Sequence, residues 1–118
     1  MRKALSSLLL ILLFSSVAEA SNWQFVTPLR AENYGFYVDF HAVRKVPKGK
    51  IRFWYTVAKT LEDAKKDTGR RHYVEMDCVN KTFRDITYEQ EKAPVVWEHI
   101  SPDSFQESFH EVLCRRKE

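Results

Sequence analysis

The stretch that most constrains this chain is Arg70–Gln90, RRHYVEMDCVNKTFRDITYEQ. Two runs rich in Tyr, Val, Phe, Ile and Thr flank a polar centre at Asn80-Lys81. That is the pattern of a β-hairpin, and Asn tolerates the positive φ that a tight turn needs. Cys78, one of two cysteines in the chain, stands just before the turn; the other, Cys114, follows a segment of helical spacing near the C-terminus. The predicted fold class is α+β: a single antiparallel sheet of about six strands, with one C-terminal helix packed on one face and tethered by a Cys78–Cys114 disulfide.

The N-terminus bears on whether that bridge forms. Arg2 and Lys3 precede the apolar run Leu8–Phe14, and Ala18-Glu19-Ala20 fits the small-x-small rule of a cleavage site. Residues 1–20 read as an export signal whose apolar run is too short to span a bilayer, which takes about 20 residues. No membrane-spanning segment is expected after cleavage. With no cysteine beside the cleavage site, no lipid anchor is expected on the mature N-terminus, so the domain at 21–118 would be periplasmic, at the cell surface or secreted. Two cysteines in an oxidising compartment pair with each other; two free thiols or an intermolecular bridge are the alternatives. Closing the loop from 78 to 114 would contribute roughly 3.5–4 kcal/mol on the chain-entropy estimate.

Residues 21–118 suit one small domain. The chain has 19 Lys and Arg against 16 Asp and Glu, and loses Arg2, Lys3 and Glu19 with the signal. The small positive balance left is too weak to argue for nucleic acid. Aromatic residues make up 14% of the chain, and a small domain needs such bulk to fill a core.

Trp23–Leu29 alternates and reads as a strand ending at Pro28 or lying at an edge. After a polar turn at Arg30–Asn33 comes the strand Tyr34–Phe40, with Phe36, Val38 and Phe40 on one face. Asp39 is placed to cap the turn that follows. Val46–Lys50 is a loop. Lys50–Ala58 is the strongest strand signal: Ile51, Phe53, Tyr55 and Val57 point one way, and Arg52, Trp54 and Thr56 the other. Lys59–Gly69 is either a charged hairpin loop or a single helical turn, closed by Asp67-Thr68-Gly69.

With Asn80 and Lys81 as the two turn residues, Asp77 faces Arg84, Cys78 faces Phe83 and Tyr73 faces Tyr88. The neighbouring strand then sets Ile51 by Cys78, Phe53 by Met76 and Tyr55 by Val74. The outer face becomes a row Arg52–Asp77–Arg84 with Trp54 beside Glu75. Val95–Ile100 is a last strand after Pro94. Ser101-Pro102-Asp103 starts a helix, whose Phe105, Phe109, Val112 and Leu113 recur at helical spacing.

The chemistry of catalysis is hard to find. Histidines 41, 72, 99 and 110 lack metal-ligand spacing, and no metal or cofactor is expected. Of the carboxylates Glu75, Asp77, Asp85 and Glu89, Asp77 would be kept ionised by its neighbouring arginines, which opposes a general-acid role. There is no Gly-x-Ser-x-Gly motif, and three glycines cannot form a phosphate cradle. The chain therefore reads as a non-enzyme. The features that suggest binding are Arg52, Trp54, Asp77 and Arg84 on the outer face, because Trp and Arg are over-represented at interface hot spots. Coverage of Trp54 by the N-terminal strand or a dimer partner is the competing explanation.

The order of the segments resembles the surface-adhesin protein E family of Gram-negative bacteria. The exported chain begins Asn22-Trp23, followed by Phe36-Tyr37-Val38-Asp39 and Ile51-Arg52-Phe53-Trp54. Glu75-Met76-Asp77-Cys78 then leads to Phe83-Arg84, and the helix ends Val112-Leu113-Cys114. The likeness extends over essentially all of 21–118. It implies a six-stranded antiparallel sheet with a disulfide-tethered helix, a surface-exposed binding protein and a dimeric state. It also implies protein partners among host matrix proteins such as vitronectin and laminin. The chain departs from the founding adhesin in lacking a lipidation cysteine. A soluble periplasmic protein, structural or inhibitory and with no host ligand, is the alternative expectation.

Overall fold

The structure, a computed structural model, describes residues 21–29, 33–66, 70–88 and 95–115. The export signal at 1–20, most of the turn at 30–33 and the Asp67-Thr68-Gly69 stop lie outside the described residues, as do Glu89 and Pro94.

The strands are β1 (Trp23–Leu29), β2 (Tyr34–Asp39), β3 (Arg44–Val46), β4 (Lys50–Ala58), β5 (His72–Asp77), β6 (Thr82–Asp85) and β7 (Glu98–His99). They form one antiparallel sheet in the order β1-β2-β4-β5-β6-β7, with β3 paired to β4 as well. β4 is long enough to pair with β2 along its C-terminal half and with β3 along its N-terminal half. β1 is an edge strand, which is how it accommodates Pro28.

The loop expected at Val46–Lys50 is a turn at 47–49, but the residues just before it, Arg44–Val46, form a short strand, β3, that the sequence pattern does not predict. The chain turns back at Lys48 and Gly49, with φ of 69° and 74°, and lays Arg44–Val46 along β4. The segment left open as loop or helical turn contains helix α1 (Leu61–Lys66). Thr60 Oγ1 accepts the Asp63 N–H at its start. Glu62 and Asp63 sit at the positive end of the helix, and Lys65 and Lys66 at the negative end.

Both expected registers move by two residues. Arg84 lies opposite Glu75 rather than Asp77, Phe83 opposite Met76 rather than Cys78, and Tyr73 is not paired with Tyr88 in the ladder. Ile51 lies opposite Met76, Phe53 opposite Val74 and Tyr55 opposite His72. The cause is Asp77. Its Oδ1 accepts the Val79 and Asn80 N–H groups at 3.0 Å each, and its Oδ2 accepts Asn80 Nδ2 at 2.9 Å. This local bonding ends β5 at Asp77 and leaves Cys78–Lys81 as a four-residue connection. Lys81, not Asn80, takes the positive φ of 54°. Because the shift is even, every side chain stays on its expected face.

The C-terminal helix starts later than expected. Ser104, not Ser101, is its N-cap and accepts the Glu107 N–H, while Glu107 Oε2 accepts the Asp103 N–H at 2.6 Å. Helix α2 runs Phe105–Phe109 and continues with wider, π-type winding over His110–Cys114. Phe109 and Leu113 are buried, whereas Val112 is 42% exposed. Phe109 packs edge-on to Phe36 and Phe53, and Phe105 stacks on Phe36 at 4.3 Å. With Val38, Ile51, Val74 and Met76 they form the main core on this face. The Cys78–Cys114 disulfide fastens the helix end to the sheet, and His110 Nε2 donates to the Cys78 carbonyl at 3.0 Å. The final expected strand shortens to Glu98–His99, although Ile100 still packs on the core. Among the described residues no helix is long and apolar enough to cross a membrane.

Candidate functional site

The sheet face opposite α2 carries the chemistry. Alternation along β4 sends Arg52, Trp54 and Thr56 to it, and β5 contributes Tyr73 and Glu75. At one end α1 covers a small second core of Trp23, Tyr37, Ala58 and Ala64, against which Trp54 packs. Trp54 is therefore half-buried, neither wholly exposed nor hidden under β1. Its ring stacks on Tyr73 at 4.5 Å and 29°.

Toward the hairpin end lies a charged row. Glu75 is 3% exposed and accepts Arg52 Nε at 2.7 Å on one oxygen and Arg84 Nε at 2.9 Å on the other. Burial pushes the Glu75 carboxyl up, but the hydrogen bonds and charges of the two arginines outweigh it and hold the group below its ordinary value. Trp97 completes the row, with the Arg84 guanidinium 5.2 Å and Lys50 Nζ 6.0 Å from its ring centre.

Of the expected binding residues, Arg52, Trp54 and Arg84 therefore share one face, and Asp77 leaves the row for the turn. The agent holding Asp77 ionised also differs from expectation. The Asn80 N–H comes first, with the Asn80 side chain and the Val79 N–H adding to it. Among the described residues Glu75 and Asp77 form no carboxylate pair of the general-acid kind, and no group of His, Cys, Asp and Glu could hold a metal ion.

An open cleft of about 480 Å³ lies on the same face, lined by Trp23, Asp39, Ala42, Trp54, Arg71, Thr87 and Tyr88. Asp39, Arg71 and Thr87 are held by the protein. Asp39 Oδ1 accepts the Asn22 and His41 N–H groups at 2.8 and 3.1 Å, which makes Asp39 the expected cap. Arg71 Nη2 donates to the Ala64 and Lys65 carbonyls, the negative end of α1, and its guanidinium lies 4.6 Å over the Trp23 ring. Arg71 Nε is buried without a hydrogen-bond partner among the described residues. Thr87 accepts the Tyr73 N–H at 2.8 Å and donates to Asp85 at 2.6 Å. Tyr88 is 87% exposed at the rim.

A larger hollow, about 630 Å³, opens between the end of β1 and the start of α2. Its Ser104 and Glu107 are committed to starting the helix, so it reads as the seam between helix and sheet.

The cleft escaped sequence reasoning because Trp23, Asp39, Arg71 and Tyr88 come from distant parts of the chain. Two signals pointed toward it. Arg71 stands two residues before Tyr73 and so shares its side of the strand, and Asp85-Ile86-Thr87 has the composition of a side-chain-closed turn. No family model, curated protein or solved structure matches this chain.

Proposed function

We propose that the chain is an exported, non-enzymatic binding domain similar to surface adhesin E. In this reading it recognises a protein partner through the sheet face opposite α2. The observation that carries the reading is the composition of that face. Trp54, stacked on Tyr73, stands beside the Arg52–Glu75–Arg84 row, so aromatic and guanidinium groups lie side by side on a rigid sheet. The resemblance adds the partner class, a host matrix protein such as vitronectin or laminin, and a dimeric state.

The test is binding of the oxidised domain to immobilised vitronectin and laminin, at physiological and at several-fold higher salt. Saturable binding that survives the salt and weakens on W54A, with the fold intact by circular dichroism, is the expected result. Absent or salt-erased binding overturns the matrix-protein reading in favour of a periplasmic protein without a host ligand.

A further inference from the structure

We propose that the cleft between Trp54 and Tyr88 is a saccharide-binding site. The inference rests on the reading of the chain as a binding domain and names the ligand chemistry of this one cleft.

Its volume, about 480 Å³, falls within the range of roughly 300–1,000 Å³ usual for small-ligand sites. Its chemistry is mixed in a particular way. Trp54 offers an apolar indole whose orientation the Tyr73 stack fixes, and Tyr88 stands almost wholly exposed at the rim. Between them lies a carboxylate with half its bonding capacity unused. Asp39 is 8% exposed, its Oδ1 takes the Asn22 and His41 N–H groups, and its Oδ2 has no hydrogen bond among the described residues. Arg71 supplies a guanidinium locked by the α1 carbonyls and the Trp23 ring, and Thr87 is locked by Tyr73 and Asp85.

A sugar ring matches this set. Its C–H face is apolar and lies flat on an aromatic side chain, while its hydroxyls both donate and accept. A charged carboxylate takes two adjacent hydroxyl protons well, and hydrogen bonds to ionised groups are the strong ones. An apolar ligand would leave Asp39 Oδ2 unpaired. A cation would meet Arg71 across the same cleft, and an anion would meet Asp39. A neutral polyol with one apolar face avoids all three penalties. Because the protein already anchors Trp54, Asp39, Arg71 and Thr87, ordering the site on binding costs little beyond fixing Tyr88.

The test titrates the oxidised protein with galactose, N-acetylglucosamine, mannose and choline chloride. Tryptophan fluorescence reports on Trp23 and Trp54, which both line the cleft, over a background from Trp97, and a glycan array broadens the search. At least one sugar should saturate the signal, in the millimolar range for a monosaccharide. D39N keeps an oxygen acceptor for the cap and should fold with a lowered melting temperature, because its hydrogen bonds lose their charge assistance, whereas Y88A changes only an exposed side chain and should leave the melting temperature unchanged. Each should weaken sugar binding about tenfold. Saturation by choline alone, or by a sugar with affinity that D39N and Y88A leave unchanged, overturns the proposal. So does the absence of saturation by any sugar.

Vitronectin and laminin are then offered with and without enzymatic deglycosylation. Loss of binding after deglycosylation is the result expected if the cleft serves the partner interaction. Binding to both forms, combined with no sugar response, overturns the saccharide site while leaving the binding-domain reading standing.

Discussion

The two faces of the sheet are built from different materials. Under α2 the residues are Phe36, Phe53, Met76, Phe109 and Leu113, all buried and apolar. On the opposite face the buried apolar set shrinks to Trp23, Tyr37, Ala58 and Ala64, and the rest is an ion-paired row and an open cleft. The first face gains stability from area removed from water, which is non-directional. The second holds its side chains by stacking and charge-assisted hydrogen bonds, which fix direction while leaving surface available. The α2 face thus supplies most of the folding free energy, and the other face presents groups in fixed positions.

The comparison can be broken most directly in the core. Phe53→Ala is expected to cost about 3–5 kcal/mol by urea unfolding, against about 1–2 for Trp54→Ala on the same strand. Equal losses would show that the two faces share the stability. Removing the bridge by replacing Cys78 and Cys114 with Ser should cost about 3 kcal/mol and loosen α2 first, read as faster amide exchange over Phe105–Cys114. Exchange that rises uniformly would instead tie the helix to the rest of the fold.

On the charged face, Glu75→Gln leaves two arginines competing for one neutral acceptor. A loss of about 2 kcal/mol is expected, moderated because Arg52 is partly solvated. Its pH dependence follows from sign. Glu75 and Asp77 have folded values below the ordinary carboxylate range. The unfolded chain therefore binds protons first, and the stabilisation present above about pH 4 is lost as the pH falls further. Glu75→Gln should flatten that acid limb.

Tyr55 titrates at the alkaline end. Burial, helped by the Asp85 charge, pushes its hydroxyl up to about 12. The unfolded phenol ionises near 10, so stability falls as the pH rises from about 10 toward 12, and Tyr55→Phe should remove that fall. The smallest effect belongs to Tyr88→Ala, within about 0.5 kcal/mol, since Tyr88 is exposed at the cleft rim. A larger loss would place Tyr88 in the stabilising machinery and blur the division between the faces.

Much of this was legible in the residues. The alternation in Lys50–Ala58 assigned each side chain its face, and the two cysteines tied the helix to the sheet. Even the misplaced registers kept the faces, because both were displaced by an even number of residues. Local sequence was less informative about ends. Asp77 closed a four-residue connection on itself, and Ser104 took the cap that Ser101 had been assigned.

The sequence by itself determined periodicity, hence strands, faces and the bridge, because these depend on neighbours along the chain. Only the tertiary structure decided which charges meet and where a cleft opens. Glu75, rather than Asp77, gathers Arg52 and Arg84, since pairing across three strands depends on where each turn ends. Trp23, Asp39, Arg71 and Tyr88 converge because β1, β2, the start of β5 and the segment after β6 meet on one side of the sheet. No spacing rule along the chain encodes that meeting, since it is fixed by packing between segments far apart in sequence.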